Sequence, residues 1–378
     1  MRQFSMRKFI LLCICIILAS DSLQAADTGE LELPYSEIAA DEVVVFFRTT
    51  AWFDAATDTW HVPIHGWIYE PQDSRSRKAF FSAILEEEFD LAPTKATSAN
   101  FSRRLNLLIA DNERDKHIVT SIAGQQHTLS ASGVNGHFES TLAISATAAA
   151  DHIEDSSIQY SAVMRGTDTR VFAGKVKLIG PTGISVISDI DDTVKISHVT
   201  NKKNLLNHTF FLDFAAAPGM ASLYADWAEQ GVEFHFVSSS PWQLYTPLQE
   251  FLAAAGFPDS ALNLKAVRFR DASLLDLFKK GTETKPRVIE KILAAYPSRF
   301  FVLVGDSGEQ DPEVYAALLR KYPQQILKAY IRNVSDETVN NERFRSVFEN
   351  IDSSCWVLFD KPENLKLPQP VHLRPDSQ

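Results

Sequence analysis

With 378 residues, 45% hydrophobic and 22% charged, and ordinary Gly and Pro content, the chain is globular in composition rather than disordered or fibrous. That length exceeds what one hydrophobic core comfortably holds, so two domains are expected. The net charge of −11 leaves little phosphate-neutralising charge and argues against a nucleic-acid partner.

The first 25 residues read as a secretory signal peptide. Arg2, Arg7 and Lys8 make a basic start, an apolar run follows from Phe9 to Ala19, and Ser22, Ala25 and Ala26 supply small residues for cleavage. The run is about half the ~20 residues of a membrane span; an uncleaved N-terminal anchor is the alternative. Removing residues 1–25 removes three bases and one acid, taking the charge from −11 to −13, and removes Cys13 and Cys15, so that Cys355 has no intramolecular disulfide partner. Export is therefore expected, to a periplasm or to the medium, with no integral span once the signal is cleaved.

Residues 26–182 read as a mainly antiparallel β domain, a sandwich or barrel. Val43–Phe47 is β-branched and aromatic, Trp60–Tyr69 alternates apolar and polar, strand-like pieces flank Asn135-Gly136, and Ser157–Ile179 alternates again. Helical stretches at Lys78–Glu88 and Asn100–Ile109 interrupt them.

From Gly180-Pro181-Thr182-Gly183 onward, strands alternate with amphipathic helices. Strands are expected at Ile184–Ser188, Phe234–Val237, Phe300–Val304 and Ile326–Ile331. Helices are expected over Pro218–Gln230, from a Thr246 cap to Gly256, over Lys285–Ala295, and from Asp311-Pro312. This is an α/β domain with a parallel sheet, over residues 183–365, before a short tail at 366–378. In such sheets ligands bind at the carboxyl ends of the strands.

Those ends carry the chemistry. Asp189 and Asp191, two apart in extended chain, can face one pocket. Two carboxylates so placed repel unless a cation or a shared proton separates them. Mg2+, which takes carboxylate, phosphate and water oxygens, suits the position. One carboxylate can attack phosphorus, and the other can protonate the leaving oxygen and then deprotonate water. Ser238 follows the second strand, where a hydroxyl can hold a phosphoryl oxygen. Lys285 opens a helix. Asp306 ends a later strand, and Asp311 begins the next helix. Singly each has a bland explanation: Asp311 as an N-cap, Lys285 as surface, Ser238–Ser240 as loop. Their order, each at a strand end or helix start, gives the pattern its weight.

Ile187–Lys195, Pro218-Gly219-Met220, Phe234–Tyr245 and Gly305–Tyr315 together resemble the haloacid dehalogenase superfamily. Within it they resemble the catalytic domain of the fungal actin-patch phosphatidate phosphatase and its bacterial, lipin-like relatives, over about residues 183–360. The resemblance implies Asp189 as nucleophile and Mg2+ ligand. Asp191 would be general acid/base and ligand through its main-chain carbonyl, Ser238 would bind phosphate with Thr193 beside it, and Lys285 would position the charges. Asp306 and Asp311 would complete the metal site. Ser239 departs from the Asn usual there, and Lys279, Lys280 and Lys291 compete with Lys285. A dehalogenase needs no second acid, since halide leaves without a proton, so Asp191 points to phosphate transfer.

The implied activity is phosphatidate hydrolysis with transient membrane-surface contact. Phe210, Phe211, Phe214, Trp242 and Tyr245 are candidates for acyl contact or for core, and Arg268 and Arg270 for an anion. Two alternatives stay open: a phosphatase of another lipid or soluble phosphomonoester, and a non-catalytic binding protein that uses the β domain.

Overall fold

Strand alternation and helix stripes build two sheets. The computed structural model describes residues 34–90, 99–266 and 284–370; the expected signal peptide lies outside these. The first sheet has ten strands: β1 (Val43–Phe47), β2 (Thr49–Asp54), β3 (Thr59–Glu70), β4 (Asp111–Asn112), β5 (Val119–Ile122), β6 (Gln125–Thr128), β7 (His137–Ser145), β8 (Ile153–Glu154), β9 (Ser157–Ala162) and β10 (Ala173–Ile179). Its pairings are antiparallel except that of β10 with β2. Helices α1 (Arg75–Phe89) and α2 (Ala99–Leu108) interrupt it, close to where the sequence placed them, and a short α3 (Ala146–Ala150) follows β7.

The second sheet is wholly parallel. Its order is β13 (Ala261–Lys265), β12 (Glu233–Pro241), β11 (Ile184–Ser188), β14 (Phe300–Asp306), β15 (Ile326–Arg332), β16 (Trp356–Phe359). Its helices are α4 (Lys202–Phe210), α5 (Met220–Glu229), α6 (Tyr245–Ala254), α7 (Thr284–Ala295), α8 (Asp311–Lys321) and α9 (Glu342–Val347). Strands β13 and β16 go beyond those expected from the sequence. The Thr246 cap is corrected: a 3-10 turn at Trp242–Leu244 runs directly into α6, so Thr246 lies inside the helix.

Period-two alternation distributes the core. Val186, Val302 and Val304 face one apolar layer, while Ile187, Phe301 and Leu303 face the other. Helix α5 buries Met220, Leu223, Tyr224 and Trp227, at helical spacing of i, i+3, i+4 and i+7. Helix α7 buries Lys285, Ile289, Ile292 and Leu293, at i, i+4, i+7 and i+8, so the lysine begins an apolar stripe turned toward the sheet.

The two sheets share a core. Val62, Ile64 and Ile68 of β3 face the first sheet's own layer. On the opposite face, Trp67 and Tyr69 join Phe47 in the apolar layer of the parallel sheet. Each such side chain stabilises the fold by roughly 1.5–3 kcal/mol on burial. Between the sheets the chain passes Gly183, whose φ of 111° suits only glycine. There Arg299 binds the carbonyls of Gly180 (2.9 Å), Thr182 and Ile184 (2.8 Å) and Ser185 Oγ (2.9 Å). No helix of the described residues is long and apolar enough to cross a membrane.

Candidate active site

The three central parallel strands end at one place. Asp189 and Asp191 follow β11, Ser238 lies near the end of β12, and Asp306 closes β14. Asp311 and Lys285 sit in the first turns of α8 and α7, which point at the same edge. All six are buried. Lys285 Nζ lies 2.9 Å from Asp189 Oδ1 and also pairs with Asp311 Oδ1. Thr193 Oγ1 donates to Asp189 Oδ2 at 3.1 Å. The structure thus brings together all seven residues singled out from the sequence. Among the competing lysines, Lys291 is exposed, and Lys279 and Lys280 lie outside the described residues, as do Arg268 and Arg270.

Asp311 is not an N-cap. It stands inside the first turn, Gln310 precedes it, and its Oδ2 accepts from Asp306 N (3.2 Å). Gly305 makes room for it, since a Cβ there would lie 2.1 Å from Asp311 Oδ2. Asp306 Oδ1 accepts from Gly308 N (2.7 Å) and Glu309 N (3.0 Å).

Asp191 is held differently. Its Oδ1 accepts from Lys195 Nζ and Ser197 Oγ, both at 2.7 Å, and its Oδ2 from Ser238 Oγ at 3.1 Å and Ser240 Oγ at 2.9 Å. Burial alone would raise its pKa, but the Lys195 ammonium and these hydroxyls outweigh it and hold the group at about 2. Asp192, at a φ of 54°, accepts the backbone N–H groups of Ser197 (2.8 Å), His198 (2.9 Å) and Val199 (2.6 Å), which closes the loop after β11. Arg332 Nη1 donates to its carbonyl at 2.6 Å. In the sequence Lys195 only matches the family pattern, and Ser197 and Ser240 carry no expected role. A lysine between Val194 and Ile196, four residues after a carboxylate, was the available signal.

Asp189, Asp306 and Asp311 each offer a carboxylate oxygen within 4.8 Å of the others. Asp306 Oδ2 is buried without a hydrogen-bond partner, and Asp189 Oδ1 has none beyond the Lys285 ammonium. Three buried carboxylates face one buried ammonium. Burial, with Asp311 and Glu309 repelling and Lys285 offsetting, drives the Asp189 carboxyl well above its ordinary range. Burial, Asp311 and Asp189 do the same to Asp306. Lys285 stays charged: burial opposes its charge, and Asp189 and Asp311 outweigh that. Such a cluster takes up either protons or a cation. All-oxygen donors with an orphaned carboxylate oxygen fit a hard divalent ion.

The aromatics weighed for acyl contact are mostly core. Phe210, Phe211, Trp242 and Tyr245 are buried, and Phe214 is half-buried.

Residues 184–333 match the family model described as Phosphatidate phosphatase APP1, catalytic domain. The chain is 33% identical over 183 residues to Phosphatidate phosphatase APP1 of Saccharomyces cerevisiae, covering 46% of this chain and 30% of that protein. It is 29% identical over 171 residues to an uncharacterized protein of Schizosaccharomyces pombe, covering 44% of this chain and 28% of the other. The chain thus spans less than a third of either relative's length. Among solved structures it aligns with D,D-heptose 1,7-bisphosphate phosphatase from B. bronchiseptica complexed with magnesium and phosphate, at 12% identity and a TM-score of 0.28, over 48% of this chain and 94% of that one. The family-model match and the 33% identity bear out, for the parallel-sheet half, the resemblance to phosphatidate phosphatase-like hydrolases.

Proposed function

We propose that this chain, whose residues 184–333 match the APP1 phosphatidate phosphatase catalytic domain, is an exported, Mg2+-dependent phosphatidate phosphatase working through an aspartyl-phosphate. One observation carries the reading. Asp189 is buried beside Lys285, Asp306 and Asp311, while a second carboxylate, Asp191, sits two residues on among hydroxyl and ammonium donors.

Asp189 attacks phosphorus, and the bond to the leaving oxygen breaks. Asp191 takes up a proton from solvent as the substrate binds, gives it to that oxygen, and then takes one from the water that hydrolyses the acyl phosphate, which restores Asp189. Phosphate bound by Ser238 would draw that hydroxyl from Asp191 Oδ2 and bring negative charge close by. Both changes raise the proton affinity of Asp191, readying it as an acid. Lys285 neutralises the phosphoryl oxygens and holds Asp189 in place. Asp189, Asp306 and Asp311 would hold Mg2+, with the Asp191 carbonyl; the ion supplies charge stabilisation for the transferring phosphoryl group.

The family match over residues 184–333 supports phosphatidate as the substrate. One observation favours a second reading, a phosphatase of another lipid or soluble phosphomonoester: the burial of four of the five aromatics weighed for acyl contact. The test is phosphate release from phosphatidate in mixed micelles and from an aryl phosphate, with Mg2+ or EDTA, beside Asp189→Asn. Mg2+-dependent release from phosphatidate, abolished in the variant, supports the full reading. Turnover of the aryl phosphate alone discards the lipid. Activity surviving in Asp189→Asn discards the mechanism, and silence on both esters favours a binding protein. Export rests on the N-terminal sequence, and N-terminal sequencing of protein from fractionated cells tests it.

A further inference from the structure

Asp191 is held by donors from two segments. Lys195 and Ser197 come from the loop after β11, and Ser238 and Ser240 from the end of β12. Each segment is in turn braced by a residue from before position 180.

On the first side the loop after β11 leaves the sheet, forms α4 and returns, pairing Lys195 with Ala216. Arg104 of α2 fastens the end of this excursion. Its Nη1 donates to the carbonyls of Thr209 (2.9 Å), in the last turn of α4, and of Leu212 (2.8 Å), just beyond the helix. Phe101 stacks on Phe211 at 4.9 Å. The Arg104 guanidinium lies 3.8 Å from the centroid of Phe214, and the Lys195 ammonium lies 4.9 Å from the same ring. Arg104 is therefore three contacts from Asp191, through Phe214 and Lys195.

On the second side Trp242, two residues beyond Ser240, stacks on Phe47 of β1 (4.3 Å, 26°). It meets His65 of β3 edge-on (4.6 Å, 82°). The Tyr245 hydroxyl, three residues on, accepts from Arg48 N at 2.8 Å. Rigid aromatic packing fixes where β12 ends, and with it the direction of Ser240.

We infer that the N-terminal half is a positioning element for the second carboxylate: Arg104 through Phe214 and Lys195, and Phe47 through Trp242 and Ser240, hold Asp191 from two sides. This rests on the reading of Asp191 as the group that protonates the leaving oxygen. The antiparallel half is then part of the catalytic apparatus and not a separate recognition module.

Leaving groups separate positioning from mere stability. An alkyl alcohol must receive a proton as it departs, whereas p-nitrophenolate needs none. Full-length Arg104→Met and Phe47→Leu are assayed with Mg2+ on an alkyl phosphomonoester and on p-nitrophenyl phosphate, with thermal unfolding measured alongside. kcat/KM, which reports the step that expels the leaving group, should fall about tenfold to a hundredfold further on the alkyl ester than on the aryl ester. Arg104→Lys should recover most of the difference. Should Arg104→Met not fold, the same ratio is read from Phe47→Leu. Equal losses of kcat/KM on both esters, or none, overturn the inference and leave the phosphatase reading standing. A wild-type protein inactive on both esters overturns that reading and the inference with it.

Discussion

Replacing Asp306 with Asn removes one of three buried carboxylates while keeping the side-chain shape. The amide oxygen can still accept from Gly308 N and Glu309 N, as Asp306 Oδ1 does, and the amide nitrogen takes the place of the unpartnered Oδ2. At the 4.8 Å limit of the cluster, two carboxylates repel by about 3 kcal/mol at an effective dielectric near 20. Lys285 cancels part of this, leaving a gain of about 1–3 kcal/mol for metal-free Asp306→Asn at neutral pH. That is a rise in Tm of a few degrees. The pH dependence fixes the sign. Burial, Asp311 and Asp189 raise the folded Asp306 carboxyl well above its ordinary value. The folded state therefore holds this proton more tightly than the unfolded chain does, and wild-type stability falls as pH rises above about 4. The gap between variant and wild type should be small near pH 4 and widen upward. The assay is thermal unfolding in EDTA and in Mg2+. Wild type should gain about 2.7 kcal/mol at a Mg2+ concentration of 100 Kd, and the variant much less. If Asp306→Asn is less stable than wild type in EDTA and still responds fully to Mg2+, the charge-crowded metal site is wrong.

Two further changes probe the frame. Gly305→Ala places a Cβ 2.1 Å from Asp311 Oδ2, so Asp311 must turn out of the cluster; calorimetry should show weakened Mg2+ binding and assays a matching loss of phosphate release, and unchanged Mg2+ affinity would refute this. His65 and His137, 3.0 Å apart and half-buried between the sheets, are pushed by burial to about 3 and about 4. Both stay neutral in the folded protein, whereas the unfolded chain takes protons below about pH 6.5, so their stability is full above that pH and falls by about 1.4 kcal/mol per unit per histidine as acid is added. Urea midpoints between pH 7 and pH 5 should fall less steeply in His65→Gln than in wild type, and equal slopes would count against neutral histidines there.

The α/β half was legible because its signals are local. Each strand is a short apolar run, each helix has an apolar stripe, and the acids fall where the runs stop. Lys285 shows the strength of that signal: read as surface when alone, it stands in register with Ile289, Ile292 and Leu293, and register alone turns it inward. Asp311 shows its limit, since an acid before a proline reads equally well as a cap or as a ligand. Only the fold, by setting Gly305 against it, shows which way the carboxylate points. The hydroxyls and ammonium around Asp191 were not legible, because they depend on a loop that leaves β11 and returns. Its closure is set by the Asp192 carboxylate accepting three backbone N–H groups. Least legible was the sharing of one core by both halves. Alternation in β3 correctly gives two faces, but it does not say that the face bearing His65, Trp67 and Tyr69 meets another sheet rather than water. The structure shows the reason: four consecutive buried residues, Gly66 to Tyr69, precede Glu70 at the end of β3, so this part of the strand is buried on both faces.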